Sequence, residues 1–233
     1  MKTAADAKLL AEKMIAIGSG AGRRTAAVIS SMENPLGRAV GNAIEVREAI
    51  EVLNGGGPGD LRELCLTLAA LMYSLASGTD FDKCLPLCET AIADKSALGK
   101  FRDMVAYQGG DTKIVDNPDL LPTARNTALF KADRAGYIRS MNAEQIGTAS
   151  CVLGAGRTKK DDVIDPAAGI LLNKKTGDYV EAGETIAILY SNTEMQSAME
   201  IMQTAVEISD EKPERQPLIY DIITSRRNQN QRF

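Results

Sequence analysis

Between Glu33 and Ile50 the chain reads ENPLGRAVGNAIEVREAI: Pro35 breaks off a strand, Gly37 and Gly41 supply a turn, and a helix follows that carries two carboxylates, Glu45 and Glu48. Glu48 lies about 200° round that helix from Val46, off the apolar stripe, so it faces either solvent or another segment. On residue type alone, solvent is the expectation. A second segment, VLGAGRTKKDDVID, gathers Gly154, Gly156, Arg157, Lys159 and Lys160 into one turn. Backbone N–H groups and cationic side chains there suit an anion. The strand, loop and helix order of phosphate-binding motifs does not follow it, however, so it reads as a structural turn with Arg157 paired to an acidic neighbour. Cys84 and Cys88, four apart in FDKCLPLCETAI, share a helical face with Ala91 and Ile92. They read as buried thiols and not as half of a metal site, because no second pair follows and the four cysteines lack a disulfide-framework spacing.

The chain contains no histidine, which removes Ser-His-Asp and Cys-His nucleophile pairs and His-ligated zinc or iron. With a net charge of −4, four phenylalanines, six tyrosines and no tryptophan, it also lacks the basic field and stacking platforms of a nucleic-acid binder. The basic end SRRNQNQRF is expected to be a solvated terminus. No run of apolar residues is long enough to span a membrane, and MKTAADAKLL has no apolar signal core, so a cytoplasmic protein with no membrane partner is expected.

These residues need elements to hold them. AADAKLLAEKMIAIG spaces Ala7, Leu10, Met14 and Ile17 as one helical face, RRTAAVIS reads as a buried strand, and NAIEVREAIEVL is a helix through Val46, Ala49, Ile50 and Leu53 that GGGPG ends. LRELCLTLAALMYSLA, opened by Asp60 and Glu63, is expected to be a core helix through Leu61, Leu64, Leu68, Met72 and Leu75. Two more helices follow, FDKCLPLCETAIAD with Pro86 in its first turn or at a kink, and SALGKFRDMVAYQGG. From about residue 126 short β-prone runs alternate with turn residues, interrupted by a helix over TEMQSAMEIMQTAVEIS whose Met195, Ala198, Met202 and Val206 form a packing stripe. The expected fold is therefore α/β, with helices packed on a mixed sheet over 1–125 and a smaller β-rich subdomain over 126–233.

Within that subdomain TGDYVEAGETIAILYS resembles the hairpin module of biotinyl and lipoyl carrier domains through Gly177, Asp178, Val180, Gly183 and Ile186. The resemblance implies a barrel-sandwich hybrid. AILYSNTEM offers no lysine at the tip that follows, so no cofactor attachment is expected.

The order of DAKLLAEKMIAIG, GRRTAAVISSMENPLGRAVGNAIEVREAIEVLNGGGPGDLRELCLTLAALM, FRDMVAYQGGD, LPTA and GYIRSMNAEQIGTASCVLGAGRTKKDDVIDPAAGILLNKKTGDYVEAGE closely resembles bacterial pyrimidine-nucleoside phosphorylases, the thymidine phosphorylase family. The match runs from residue 1 nearly to the end, in several segments that agree in order and spacing. In that family the phosphate loop and the residues that hold the pyrimidine belong to the N-terminal half, so the chain looks like the family's C-terminal portion, an incomplete large lobe plus the β-rich subdomain. The resemblance implies phosphate attack on a pyrimidine nucleoside to give free base and (deoxy)ribose 1-phosphate, with inorganic phosphate as co-substrate. It also implies a homodimer and a potassium ion held partly by the carbonyls of Leu36 and Ala39 and the carboxylate of Glu48. Such ligands suit a hard cation, and a Pro35/Gly37 turn can aim carbonyls inward. No catalytic or substrate-contacting position of the family falls on this chain, so by itself it is expected to be inert. A phosphoribosyltransferase of the anthranilate type is disfavoured because it lacks the hairpin-bearing C-terminal domain. The alternative of another class is a non-enzymatic interaction module.

Overall fold

The computed structural model describes residues 3–225, so the basic end read above as a solvated terminus lies, after Ser225, outside the described residues. In chain order the elements are α1 (Ala4–Gly20), β1 (Ala26–Ser30), β2 (Ala39–Gly41), α2 (Ala43–Leu53), α3 (Gly59–Ser77), α4 (Phe81–Ala93), α5 (Ser96–Tyr107), β3 (Asn126–Lys131), β4 (Gly136–Met141), α6 (Ala143–Ser150), β5 (Gly169–Leu172), β6 (Tyr179–Val180), β7 (Thr185–Ser191), α7 (Gln196–Ala205), β8 (Val206–Ser209) and β9 (Ile219–Thr224). The α/β class is as expected. The described residues form two compact units, one within 3–31, 59–96 and 216–225 and the other within 32–58 and 97–215.

In the first unit β1 runs antiparallel to β9, with Ala26 opposite Thr224 and Ile29 opposite Asp221. Thr3 caps α1 by accepting the N–H of Asp6, and Lys8 on that helix reaches Asp221 of β9 at 2.8 Å. The buried residues of α1 are Ala11 and Ile15, while Leu10, Met14 and Ile17 of the expected stripe are exposed, Ile17 by 74%. The same correction applies to α3, which buries Leu66, Ala70 and Leu71 and leaves Leu68 and Met72 exposed. Both helices are apolar on more than one side, so a 3.6-residue period fits two faces and cannot choose between them. Pro86 lies inside α4, past its first turn.

The second unit holds a four-stranded sheet in the order β2-β5-β7-β3 and a three-stranded sheet in the order β6-β4-β8. Every pairing among the described strands is antiparallel, which replaces the expected mixed sheet. A parallel pair needs a crossover that returns the chain to the same end of the sheet. The neighbours β5 and β7 are instead linked through the short β6 segment, and β1 meets a strand arriving from the far end of the chain. One core joins these sheets to α6 and α7, with Ile138, Ile146, Leu153, Ile170, Leu189 and Met202 fully buried in it. On α7 the expected packing stripe is present in Ala198 and Met202, with Met195 against the same core. The helix ends at Ala205, however, and Val206–Ser209 becomes β8, because Val206 and Ile208 alternate with Glu207 at the period of a strand.

Candidate functional site

β2 is the outer strand of the four-stranded sheet, and its pairing with β5 settles which of its groups are free for other partners. The N–H of Leu172 donates to Arg38 O at 2.8 Å, so the next residue, Ala39, sits in a non-hydrogen-bonded pair with Leu171 and turns its N–H away from β5. There it meets α2. Glu48 Oε1 accepts the N–H of Arg38 at 2.8 Å and of Ala39 at 3.2 Å, and one helical turn earlier Glu45 Oε1 accepts the N–H of Gly41 at 2.9 Å. The two carboxylates thus satisfy the edge of a strand that would otherwise present unpaired donors. Glu48 is only 7% exposed, which corrects the solvent reading: it faces the segment N-terminal to its own helix.

Gly37 makes the approach of that carboxylate feasible. Its φ is +68°, in the left-handed region, and a Cβ there would collide with Glu48 Oε2. At the pairing of Gly41 with Gly169 the backbones are equally close, since a Cβ on Gly169 would lie 2.7 Å from Val40 O.

The loop before β2 is grasped by the connection between β5 and β6. Arg38 Nη1 donates to Leu172 O at 3.2 Å and to Asn173 O at 2.5 Å, Lys175 Nζ donates to Pro35 O and Gly37 O at 2.5 Å each, and the Thr176 hydroxyl bonds Asn34 Oδ1. The Gly177–Asp178 turn fixes Lys175 from below: Asp178 Oδ2 accepts the Lys175 N–H at 2.8 Å, and Gly177 N–H donates to Ile138 O at 2.8 Å. The carrier-like frame therefore shapes a turn that aims a lysine back at the 34–38 loop. Sequence reasoning missed Lys175, Arg38 and Thr176. The only local signal was the placement of NKKT directly before a Gly-Asp turn, and consecutive lysines ordinarily read as solvated.

The three residues that the resemblance assigns to a cation are placed as follows. Ala39 and Glu48 are brought together, through the Ala39 N–H. Leu36 lies between Pro35 and Gly37, whose carbonyls face Lys175. A buried carboxylate beside a turn rich in carbonyls is a donor set that a hard monovalent cation accepts. Among the described residues no three or more Cys, Asp or Glu side chains come together as a metal-binding cluster.

The Gly154 turn is closed by its own acid. Asp162 Oδ2 accepts the N–H of Thr158 at 3.0 Å and of Lys159 at 2.8 Å and the Thr158 hydroxyl at 2.6 Å, which together hold its carboxyl below the usual carboxylate range. An anion from outside would have to displace that carboxylate. Arg157 forms no ion pair among the described residues, contrary to expectation. Of the cysteines, only Cys84 is fully buried, whereas Cys65 is exposed and Cys88 is half-buried, with burial pushing its thiol up.

Residues 137–209, from β4 to β8, match the family described as Pyrimidine nucleoside phosphorylase C-terminal domain. Over 226 residues, 96% of the chain, it is 46% identical to a pyrimidine-nucleoside phosphorylase of Staphylococcus epidermidis. The corresponding proteins of Staphylococcus haemolyticus and Staphylococcus aureus are 45% and 43% identical over the same extent. The chain spans about half the length of these curated relatives, 52% in each case. By the domain it carries and by the extent of this match, the chain resembles the C-terminal portion of the pyrimidine-nucleoside phosphorylases.

Proposed function

We propose that the chain works as the C-terminal portion of a pyrimidine-nucleoside phosphorylase, a pentosyltransferase in which inorganic phosphate attacks C1′ of a pyrimidine nucleoside and the base departs. The observation that carries this reading is the 46% identity that extends over 96% of the chain and through both compact units. Chemistry of this kind asks for positioning and charge stabilisation of an oxocarbenium-like sugar and a departing base anion, without a covalent nucleophile. The role of this portion is scaffolding. Its helical unit backs the phosphate site, and its β-rich unit is a barrel-sandwich hybrid, a reading supported by two antiparallel sheets that share one core. Substrate-holding groups come from the N-terminal half, the working enzyme is a cytoplasmic homodimer, and neither nucleic acid nor a membrane is a partner. No single described helix is long and apolar enough to cross a membrane.

Leu36 O, Ala39 O and Glu48 are the ligands that this portion contributes to a potassium ion, which supplies positive charge beside the phosphate site when bound. In this chain Glu48 holds the turn that presents those carbonyls. A second reading, a non-enzymatic interaction module, draws on the exposed Leu10, Met14 and Ile17 of α1, an apolar stripe suited to a partner.

The test is phosphorolysis of uridine and thymidine, first by the chain alone and then after adding a separately expressed N-terminal half of a staphylococcal relative in potassium buffer. Activity that arises only on mixing is the expected result. Release of uracil by the chain alone would overturn the scaffold role, and inactivity of a mixture whose halves demonstrably associate would favour the interaction module.

A further inference from the structure

Two carbonyl oxygens directed at one point are met most strongly by a positively charged donor at that point. Pro35 and Gly37 are buried, and their carbonyls meet at Lys175 Nζ, 2.5 Å from each. The ammonium is set there by fixed backbone: Asp178 holds the Lys175 N–H, and the Lys175 carbonyl accepts the Asp178 N–H at 3.0 Å. Its neighbour Lys174 turns elsewhere, to Glu184 at 2.6 Å, so the two adjacent lysines have separate tasks. On the same turn Glu48 occupies the N–H groups of Arg38 and Ala39. A cation thus holds the carbonyls of the turn while an anion holds its N–H groups.

We infer that the ammonium of Lys175 is the resident cation of the 35–39 turn, doing for Pro35 O and Gly37 O what a bound alkali-metal ion does for converging carbonyls, and that removing its charge leaves an oxygen pair that takes up potassium or ammonium. Carbonyl dipoles can replace the hydration shell of a potassium-sized ion, whereas tetramethylammonium is too bulky and offers no N–H. The Leu36 and Ala39 carbonyls and the Glu48 carboxylate implied by the resemblance are different atoms from Pro35 O and Gly37 O.

The experiment is thermal unfolding of the chain and of Lys175→Met in the chlorides of potassium, ammonium and tetramethylammonium at one ionic strength. The parent is expected to melt at the same temperature in all three. In tetramethylammonium the variant should melt about 5–10 °C lower than the parent, since two part-buried acceptors lose a charged donor. Potassium or ammonium should recover at least about half of that loss. A variant that melts with the parent in every salt, or whose loss is equal in all three, overturns the inference. If Lys175→Met does not fold in any salt, Lys175→Arg decides. Cooperative unfolding of this charge-retaining variant without salt selectivity upholds the inference, and failure of both variants overturns it. The readout is unfolding and not turnover, so either result leaves the phosphorylase reading to its own assay.

Discussion

Truncating Glu48 separates its role as an acceptor from its role as a filler of space. In Glu48→Ala the N–H groups of Arg38 and Ala39, held at 2.8 and 3.2 Å, lose the carboxylate oxygen that accepts both of them at a position that is 7% exposed. A buried donor left without a partner costs about 1–3 kcal/mol, so two such donors plus the lost packing give about 3–5 kcal/mol. At roughly 2–4 °C per kcal/mol for a chain of this size, the melting temperature should fall by about 6–20 °C. Glu48→Gln keeps one carbonyl oxygen on the same stem and loses the negative charge, which lowers stability by about 1–2 kcal/mol. Glu45→Ala is the internal control, because Glu45 is exposed and serves a single donor, Gly41 N. Its effect should stay within about 1 kcal/mol. The assay is thermal and urea unfolding followed by circular dichroism, together with amide exchange at Arg38 and Ala39, which should accelerate selectively in Glu48→Ala. A Glu48→Ala melting temperature within about 2 °C of the parent, or exchange at those two amides unchanged, would refute the reasoning.

Gly37→Ala should destabilise by about 1–3 kcal/mol, from the left-handed φ and from the Cβ driven into Glu48. In combination with Glu48→Ala the two losses should be less than additive, and a fully additive double-mutant cycle would show that the residues do not share a contact. Acid should loosen the chain at known points. The carboxyl of Asp221 is held below its usual range by the hydrogen bond from Lys8, and that of Asp116 by Arg102. For such depressed groups the stabilisation is present above the ordinary carboxylate pKa and is lost as pH falls through the folded-state value, that is, below about pH 4. Carboxyl NMR titration should show Asp221 titrating below an exposed aspartate and returning to the ordinary range in Lys8→Met, while an unchanged Asp221 titration would exclude the contact in solution.

Chain order, composition and local chemistry already carried much of this structure in the amino-acid sequence. The positions of α1 to α5, the strands around ALFKADRAGYIRSM and the Gly177 and Gly183 turns were legible because each depends on residues a few positions apart, whereas α6 (Ala143–Ser150) went unread within the β-rich run. So was the resemblance to a phosphorylase C-terminal portion, which rests on segments in order. Tertiary structure decided what depends on distant partners. The apolar faces of α1 and α3 were ambiguous, since several sides qualify and only packing selects Ala11 and Ile15 or Leu66 and Ala70. Pairing of β1 with β9 joins residues nearly 200 positions apart, for which periodicity holds no information. Glu48 looked solvated because the helix alone shows it off the apolar stripe, and only β2, folded back along α2, turns that polar face into a buried one. Lys175 was illegible for the same reason: its stem and ammonium gain meaning only when carbonyls from 140 and 138 residues away converge on them. A short-range pattern can specify where a charge sits along the chain, but what neutralises it is fixed by the fold that brings the opposite dipoles near.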